Sequence, residues 1–478
     1  MSNNDWFKLR VTVGAGDHVV RGVLCEVRVP ERATGPVEVR LFASDDHRLG
    51  SPFEFAINAN IRASESRIGR AVRADHVFWK PGGGTTRWGP NLKEHVVVGE
   101  PMDLTITDTH ASGRRRGRGE RAHVTFWISP NVLLRPFKIR MPSYTGRVAV
   151  RARRPRRFTI SGVSFTFDDY YRYRSQDDGS SVTFCEPVAA GYVRRLADVP
   201  NLLGPLEDFL LLAAVAARQR TICVGWDAVQ SPKHVRHYRR GISIPAEKKD
   251  HGMNEVLIDP RHIGNFLRRA HRAFVAAPEQ ELLRQAMQRL VYEDGDRVNL
   301  ANSFLRFYGA VEALVLRYRR MQGSEYVLTP PRWRRATESI RGAIRTAPGL
   351  TPPEAALLIA KVPELNRVTF GEGVRAFCDS YAVDCSDLWP LVSDGTGPSL
   401  STIRNRLVHG DTIGDSEMSA LMLAHEHLRW TAERFALSVL RWPISRSRVR
   451  LGVAATIETQ DVGEARAFLA QRWRRQAQ

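Results

Sequence analysis

The first part of the chain is written in period two. Phe7, Leu9, Val11 and Val13 alternate with Lys8, Arg10 and Thr12, the pattern of a strand that buries one face. Similar segments recur over 19–29, 37–42, 95–98, 123–128, 148–152, 158–167 and 182–184, divided by turn residues at 14–17, 30–35, 81–84 and 112–119. That spacing predicts a β-sandwich or a closed, barrel-like sheet, with a β-rich domain over 1–195.

From 202 to 220 the period turns helical, and a strand is expected over 221–226. The polar, basic stretch 231–251 reads as a mobile connection, followed by a last strand at 253–258, so 196–260 is a mixed α/β connecting segment. Helices are then expected over 261–276 and 278–292. The longest spans about 296–320, where Phe304, Phe307, Tyr308, Val311, Leu314 and Val315 keep helical spacing and Asp294 or Asp296 can cap. Thr351 and Glu354, with Pro352 and Pro353 between them, spell a capping box. A basic helix around Trp333, Arg334 and Arg335, helices near 357–361 and 372–382, and a long one capped by Ser416 complete a helical domain over 261–442. The tail, 443–478, is expected to add a strand at 449–457 and a short helix ending in Arg472, Trp473, Arg474 and Arg475. The fold class is thus α+β and multidomain, a β-rich half followed by an all-α bundle.

Charge changes the picture. The formal net charge is +20, which favours a polyanionic partner, nucleic acid first, unless it only reflects an arginine-rich proteome. Three basic clusters stand out: Arg114, Arg115, Arg116 and Arg118 in a Gly/Arg loop; Arg151, Arg153, Arg154, Arg156 and Arg157; and Arg236, Arg239 and Arg240 around Tyr238. Each suits phosphate contacts or a solvated surface. The five cysteines are scattered and without metal-ligand spacing, so buried reduced thiols are expected and neither a metal nor another cofactor. His425 and His427 point to different sides of a helix and do not form a metal pair. The start of the chain is polar, and the longest apolar run, 209–217, is short for a bilayer. A cytoplasmic protein without membrane contact is the expectation.

The chemistry concentrates at 400–410. On a helix, Leu400, Ile403 and Leu407 form a core stripe that Val408 widens, and Arg404 sits at its edge. Asn405 and His409 fall four apart, so the amide can orient the imidazole, and Gly410 is placed to end the helix. An imidazole beside a guanidinium suits acid/base chemistry at a phosphate. Arg118 and His123 repeat the spacing by chance, without Asn or a helical period.

Arg404, Asn405 and His409, the Arg-Asn-x3-His pattern, resemble the HEPN superfamily of helical ribonucleases. With Gly410 and the upstream Asp387, Leu388, Trp389 and Pro390, the last 180 or so residues look most like the HEPN domain of ApeA-type anti-phage defence proteins. The resemblance implies a HEPN helical bundle and a homodimer with a composite Arg/His site, and it brings Glu312 near that site. It also implies RNA cleavage, activated by a phage-derived trigger, that halts the infected host, with the β-rich region as sensor or restraint. Arg406 is a further candidate RNA contact. The rival expectation is a catalytically silent RNA-binding scaffold with the same helices.

Overall fold

The structure, a computed structural model, describes residues 6–15, 18–30, 33–44, 59–63, 69–80, 85–89, 92–109, 121–134, 138–142, 148–152, 155–175, 181–242, 256–291, 299–410, 414–452 and 461–476. The chain forms two compact units, Met1–Asn254 and Glu255–Gln478.

The first unit holds β1 (Trp6–Ala15), β2 (His18–Arg28), β3 (Glu38–Ser44), β4 (Ala59–Ala63), β5 (Arg70–Trp79), β6 (Thr85–Gly89), β7 (Leu92–Asp108), β8 (Ala122–Ile128), β9 (Lys138–Pro142), β10 (Val148–Ala152), β11 (Arg156–Ile160), β12 (Val163–Ser175) and β13 (Ser181–Val193). Helix α1 (Leu203–Ala217) and strands β14 (Cys223–Gln230) and β15 (Lys233–Arg239) complete it. The order β7-β3-β2-β1-β4-β5 closes through the β5–β7 pairing into a six-stranded barrel. The alternating positions Leu9, Val11, Val13, Val23, Val27 and Ile106 fill its interior. Of the two expected architectures, the closed sheet is the one found.

Beyond Asp103, the free edge of β7 pairs with β15, and β14, β8, β13, β12 and β11 extend the sheet from there. Helix α1 covers this wing, with its Phe209 ring 4.9 Å from Phe158 and 5.4 Å from Phe167. Among the described residues one helical stretch, Leu196–Ala217, is long and apolar enough to cross a membrane, and its α1 part is largely buried against the wing.

Two expectations fail here. The stretch 233–239 is an internal strand and no mobile connection, because its polar side chains find partners in neighbouring strands. His234 Nε2 meets Asp227 Oδ2 at 2.8 Å, Arg236 donates to Asp108 at 3.2 Å, and Tyr238 stacks on Trp127 at 5.2 Å. Residues 196–239 of the connecting segment therefore belong to the first unit, with α1 on the sheet and β14 and β15 within it. Of the strand expected over 253–258, residues 256–258 form a buried bend, and 243–255 lie outside the described residues.

The second unit contains α2 (Ile263–Val275), α3 (Gln280–Val291), α4 (Leu300–Gln322), α5 (Pro330–Thr346), α6 (Pro352–Lys361), α7 (Phe370–Tyr381), α8 (Leu400–Val408), α9 (Met418–Val439) and α10 (Val462–Gln476). Helix α4 is the axis, packed against α3, α7, α8 and α9. Phe377 of α7 stacks on Phe435 of α9 at 4.4 Å, and burial of each such ring is worth roughly 2–3 kcal/mol. The Thr351/Glu354 capping box is present. Two other expected caps are replaced. Asn299, whose side chain accepts from the Ala301 amide, caps α4, while Asp294 and Asp296 lie outside the described residues. A 3-10 turn, Asp415–Glu417, precedes α9, so Ser416 is not its cap.

Residues 449–452, expected to start a strand, form a turn, and 453–460 lie outside the described residues. That turn is bound into the helical unit. The fully buried Arg434 donates from Nε to the Val449 carbonyl (2.8 Å) and from Nη2 to the Arg450 carbonyl (3.2 Å). Its guanidinium also grips both carboxylate oxygens of Asp387. Burial pushes the Asp387 carboxyl up, but Arg434 and the Gly452 amide outweigh it and hold the group below its ordinary value.

Candidate active site

The chain reaches α8 through a loop fastened on two sides. Trp389, 1% exposed, donates its indole N–H to the Pro398 carbonyl (2.9 Å), and its backbone N–H donates to Nδ1 of the buried His427 (3.0 Å). His427 is thus a satisfied core residue. From the other side Arg466 of α10 donates to both oxygens of Asp394 (3.0 and 2.6 Å) and to the carbonyls of Gly397 and Pro398. Those guanidinium bonds hold the Asp394 carboxyl well below the usual carboxylate range. The tail helix expected as an appendage is a structural part of the site.

Ser399 caps α8 by accepting from the Thr402 amide, and Leu400 and Ile403 are buried as expected. Val408 is 51% exposed, so it does not widen the core stripe and the Arg404 edge stays open. The Arg404 guanidinium meets three groups. Its Nη2 is 3.5 Å from Oε1 of Glu312, its Nη1 donates to Oδ1 of Asn405 (3.2 Å), and its Cζ lies 5.6 Å from the centre of the Tyr308 ring.

Tyr308 is buried, with its hydroxyl 2.8 Å from Ser401 Oγ, which in turn donates to the Leu391 carbonyl. Burial pushes the phenol up to about 12, so the ring under Arg404 stays neutral. The sequence marks Tyr308 only as a core position of α4; its service to Arg404 depends on how α4 and α8 pack. Arg404 is therefore aimed by a carboxylate and backed by an aromatic face, with about a third of its side chain open to solvent.

His409 is exposed at the C-cap of α8, and Gly410 follows with φ +79°. No Cβ clash arises at Gly410, so the requirement for glycine is conformational. The predicted Asn405–His409 pairing is replaced. The Asn405 amide oxygen accepts from Arg404, and among the described residues no side chain hydrogen-bonds the imidazole.

The basic candidates separate. Arg114, Arg115, Arg116 and Arg118 lie outside the described residues. Arg236 is paired with Asp108, and Arg239 with Glu207 and the Cys223 carbonyl. Arg240 donates to the carbonyls of Ala33, Gly35 and Val224, and burial lowers its pKa to about 10. The fold occupies these three. Arg406 lies with its Cζ 4.5 Å from the centre of the Trp473 ring of α10. Among the described residues no group of three or more His, Cys, Asp or Glu side chains is arranged to hold a metal. No family model, curated protein or solved structure matches this chain.

Proposed function

We propose that the chain is a metal-independent endoribonuclease of the HEPN type whose reacting groups are Arg404 and His409, with Glu312, Asn405 and Tyr308 positioning Arg404. The observation that carries this reading is the exposed imidazole of His409 at the end of α8, five residues beyond a guanidinium held at 3.5 Å by Glu312 and backed by a neutral phenol.

In the proposed reaction the ribose 2′-oxygen bonds to the adjacent phosphorus while the bond to the 5′-oxygen breaks. A base takes the 2′ proton, an acid gives a proton to the leaving oxygen, and a cation neutralises the crowded phosphorane. Arg404 supplies the cation with its planar fork. A single imidazole cannot be base and acid in the same step, so a two-fold dimer that brings two His409 side chains together supplies both. The products carry 2′,3′-cyclic phosphate and 5′-hydroxyl ends. The resemblance to ApeA-type proteins supports a place in anti-phage defence, with the β-rich unit as sensor or restraint.

A second reading has one observation in its favour. Asn405 holds Arg404 rather than His409, so the imidazole lacks the expected orienting group. An RNA-binding scaffold with the same helices would tolerate that. Incubating the full chain with RNA in excess EDTA, beside the same sequence made 2′-deoxy at the scissile position, separates the two. Chelator-resistant cut RNA and intact deoxy control support the nuclease; two intact strands support the scaffold.

A further inference from the structure

The tetrapeptide Arg-Trp-Arg-Arg occurs twice, at 332–335 in the first turns of α5 and at 472–475 in the last turn of α10. In both copies the tryptophan is half-buried and the three arginines are exposed. Basic residues in a last turn suit the helix dipole, which alone accounts for one or two cations at the end of α10. The position of this copy adds more. Its Trp473 ring lies under Arg406, a residue of α8 itself, which puts the basic turn against the helix that carries Arg404 and His409. Among the described residues Arg472, Arg474 and Arg475 pair with no carboxylate.

We propose that Arg472, Arg474 and Arg475, which fan around the last turn of α10, with Arg472 and Arg474 on either side of Trp473, grip phosphates on a track that leads single-stranded RNA to the α8 site. The proposal rests on reading α8 as the helix that faces RNA. The ring of Trp473 is already committed to Arg406, so the three guanidiniums make the contact, and backbone charge rather than base identity is what they read. A single strand is the fitting form, because in-line attack requires a backbone free to swing out of a helical stack. A lipid surface fits poorly, since Ala465 and Leu469 of α10 are buried and leave Phe468 as the helix's one exposed large apolar side chain among the described residues.

The test uses the full chain carrying His409→Ala, which keeps RNA uncut, and follows labelled single-stranded RNA by fluorescence anisotropy over a range of salt. Arg472→Gln, Arg474→Gln and Arg475→Gln together are expected to weaken binding about tenfold or more. They should flatten the log–log salt slope by about 2, at roughly 0.7 per lost phosphate contact on a single strand. Each single substitution lowers the slope by about 0.7, which keeps the test readable if the triple variant folds poorly. The triple Lys variant retains binding, and glutamines at Arg332, Arg334 and Arg335 leave it unchanged.

Unaltered binding in the α10 variants overturns the proposal. So does a loss carried by the α5 copy instead, preferential binding to anionic vesicles or an acidic peptide, or absence of RNA binding altogether. The nuclease reading fails separately: a chain that binds RNA through α10 but cuts none in EDTA keeps the track and loses the chemistry.

Discussion

Oε1 of Glu312, near the middle of α4, lies 3.5 Å from Nη2 of Arg404 on α8, with both side chains more than 30% exposed. An ion pair that open contributes about 0–1 kcal/mol to stability. Its effect is to aim a guanidinium. Glu312→Gln is accordingly expected to leave the melting temperature almost unchanged while lowering RNA cleavage about tenfold, a loss of about 1.4 kcal/mol of transition-state stabilisation. A parallel fall in melting temperature and activity would mean that the pair is structural.

Asp387 has the opposite character. Arg434 is fully buried, and Asp387 supplies its counter-charge through two hydrogen bonds. Asp387→Ala leaves that charge uncompensated, at a cost of about 3–5 kcal/mol. The helical unit should melt roughly 10 °C lower or more. Differential scanning calorimetry on the full chain gives the shift, and a change of only a degree or two would contradict the assignment.

Gly410 follows His409 directly and ends the turn that carries it. Its φ is +79° and the space where a Cβ would stand is open, so Gly410→Ala meets only backbone strain, about 1–2 kcal/mol. Relief of that strain turns the end of α8 and moves the imidazole. Cleavage should fall far more than stability does, as read from kcat beside a thermal melt.

The barrel and its wing carry a pH dependence of their own. Burial lowers the pKa of His237 from its ordinary 6.5, against the raising influence of Asp103, while Thr105 Oγ1 sits 2.9 Å from Nδ1. A base whose folded pKa is depressed is protonated first in the unfolded chain. Its contribution is therefore complete above about pH 6.5 and declines as pH falls below that value. Urea midpoints of the first unit should drop between about pH 7.5 and pH 5, and His237→Gln should flatten that part of the profile. Equal slopes in both proteins would remove His237 as the cause.

How much of this was legible in the sequence follows from where each residue finds its partner. Core positions of α4, the Thr351 box and the end of α8 at Gly410 rest on neighbours within a few turns, and periodicity reads them. Strand β15 escapes the same reading because Arg236 and Arg239 are satisfied by Asp108 and Glu207, more than 30 residues away, so a polar run hides an internal strand. Val408 misleads for the converse reason. Helical spacing places it beside the core stripe, but it stands at the last turn of a short helix, where the covering neighbours have ended and half of it meets solvent. The Arg466–Asp394 clamp spans 72 positions and joins an apparent appendage to the loop before α8. Such long-range pairs decide the site, and local pattern does not show them.

His409 is proposed above as the acid/base group of a metal-free RNA cleavage. The most direct measurement compares wild type and His409→Ala on single-stranded RNA in excess EDTA, with the 3′ ends of the products analysed. The wild type should give 2′,3′-cyclic phosphate ends and the variant none, and the two should melt at the same temperature, since His409 is exposed. Cleavage that survives the substitution, or that stops when metal is chelated, would contradict that role.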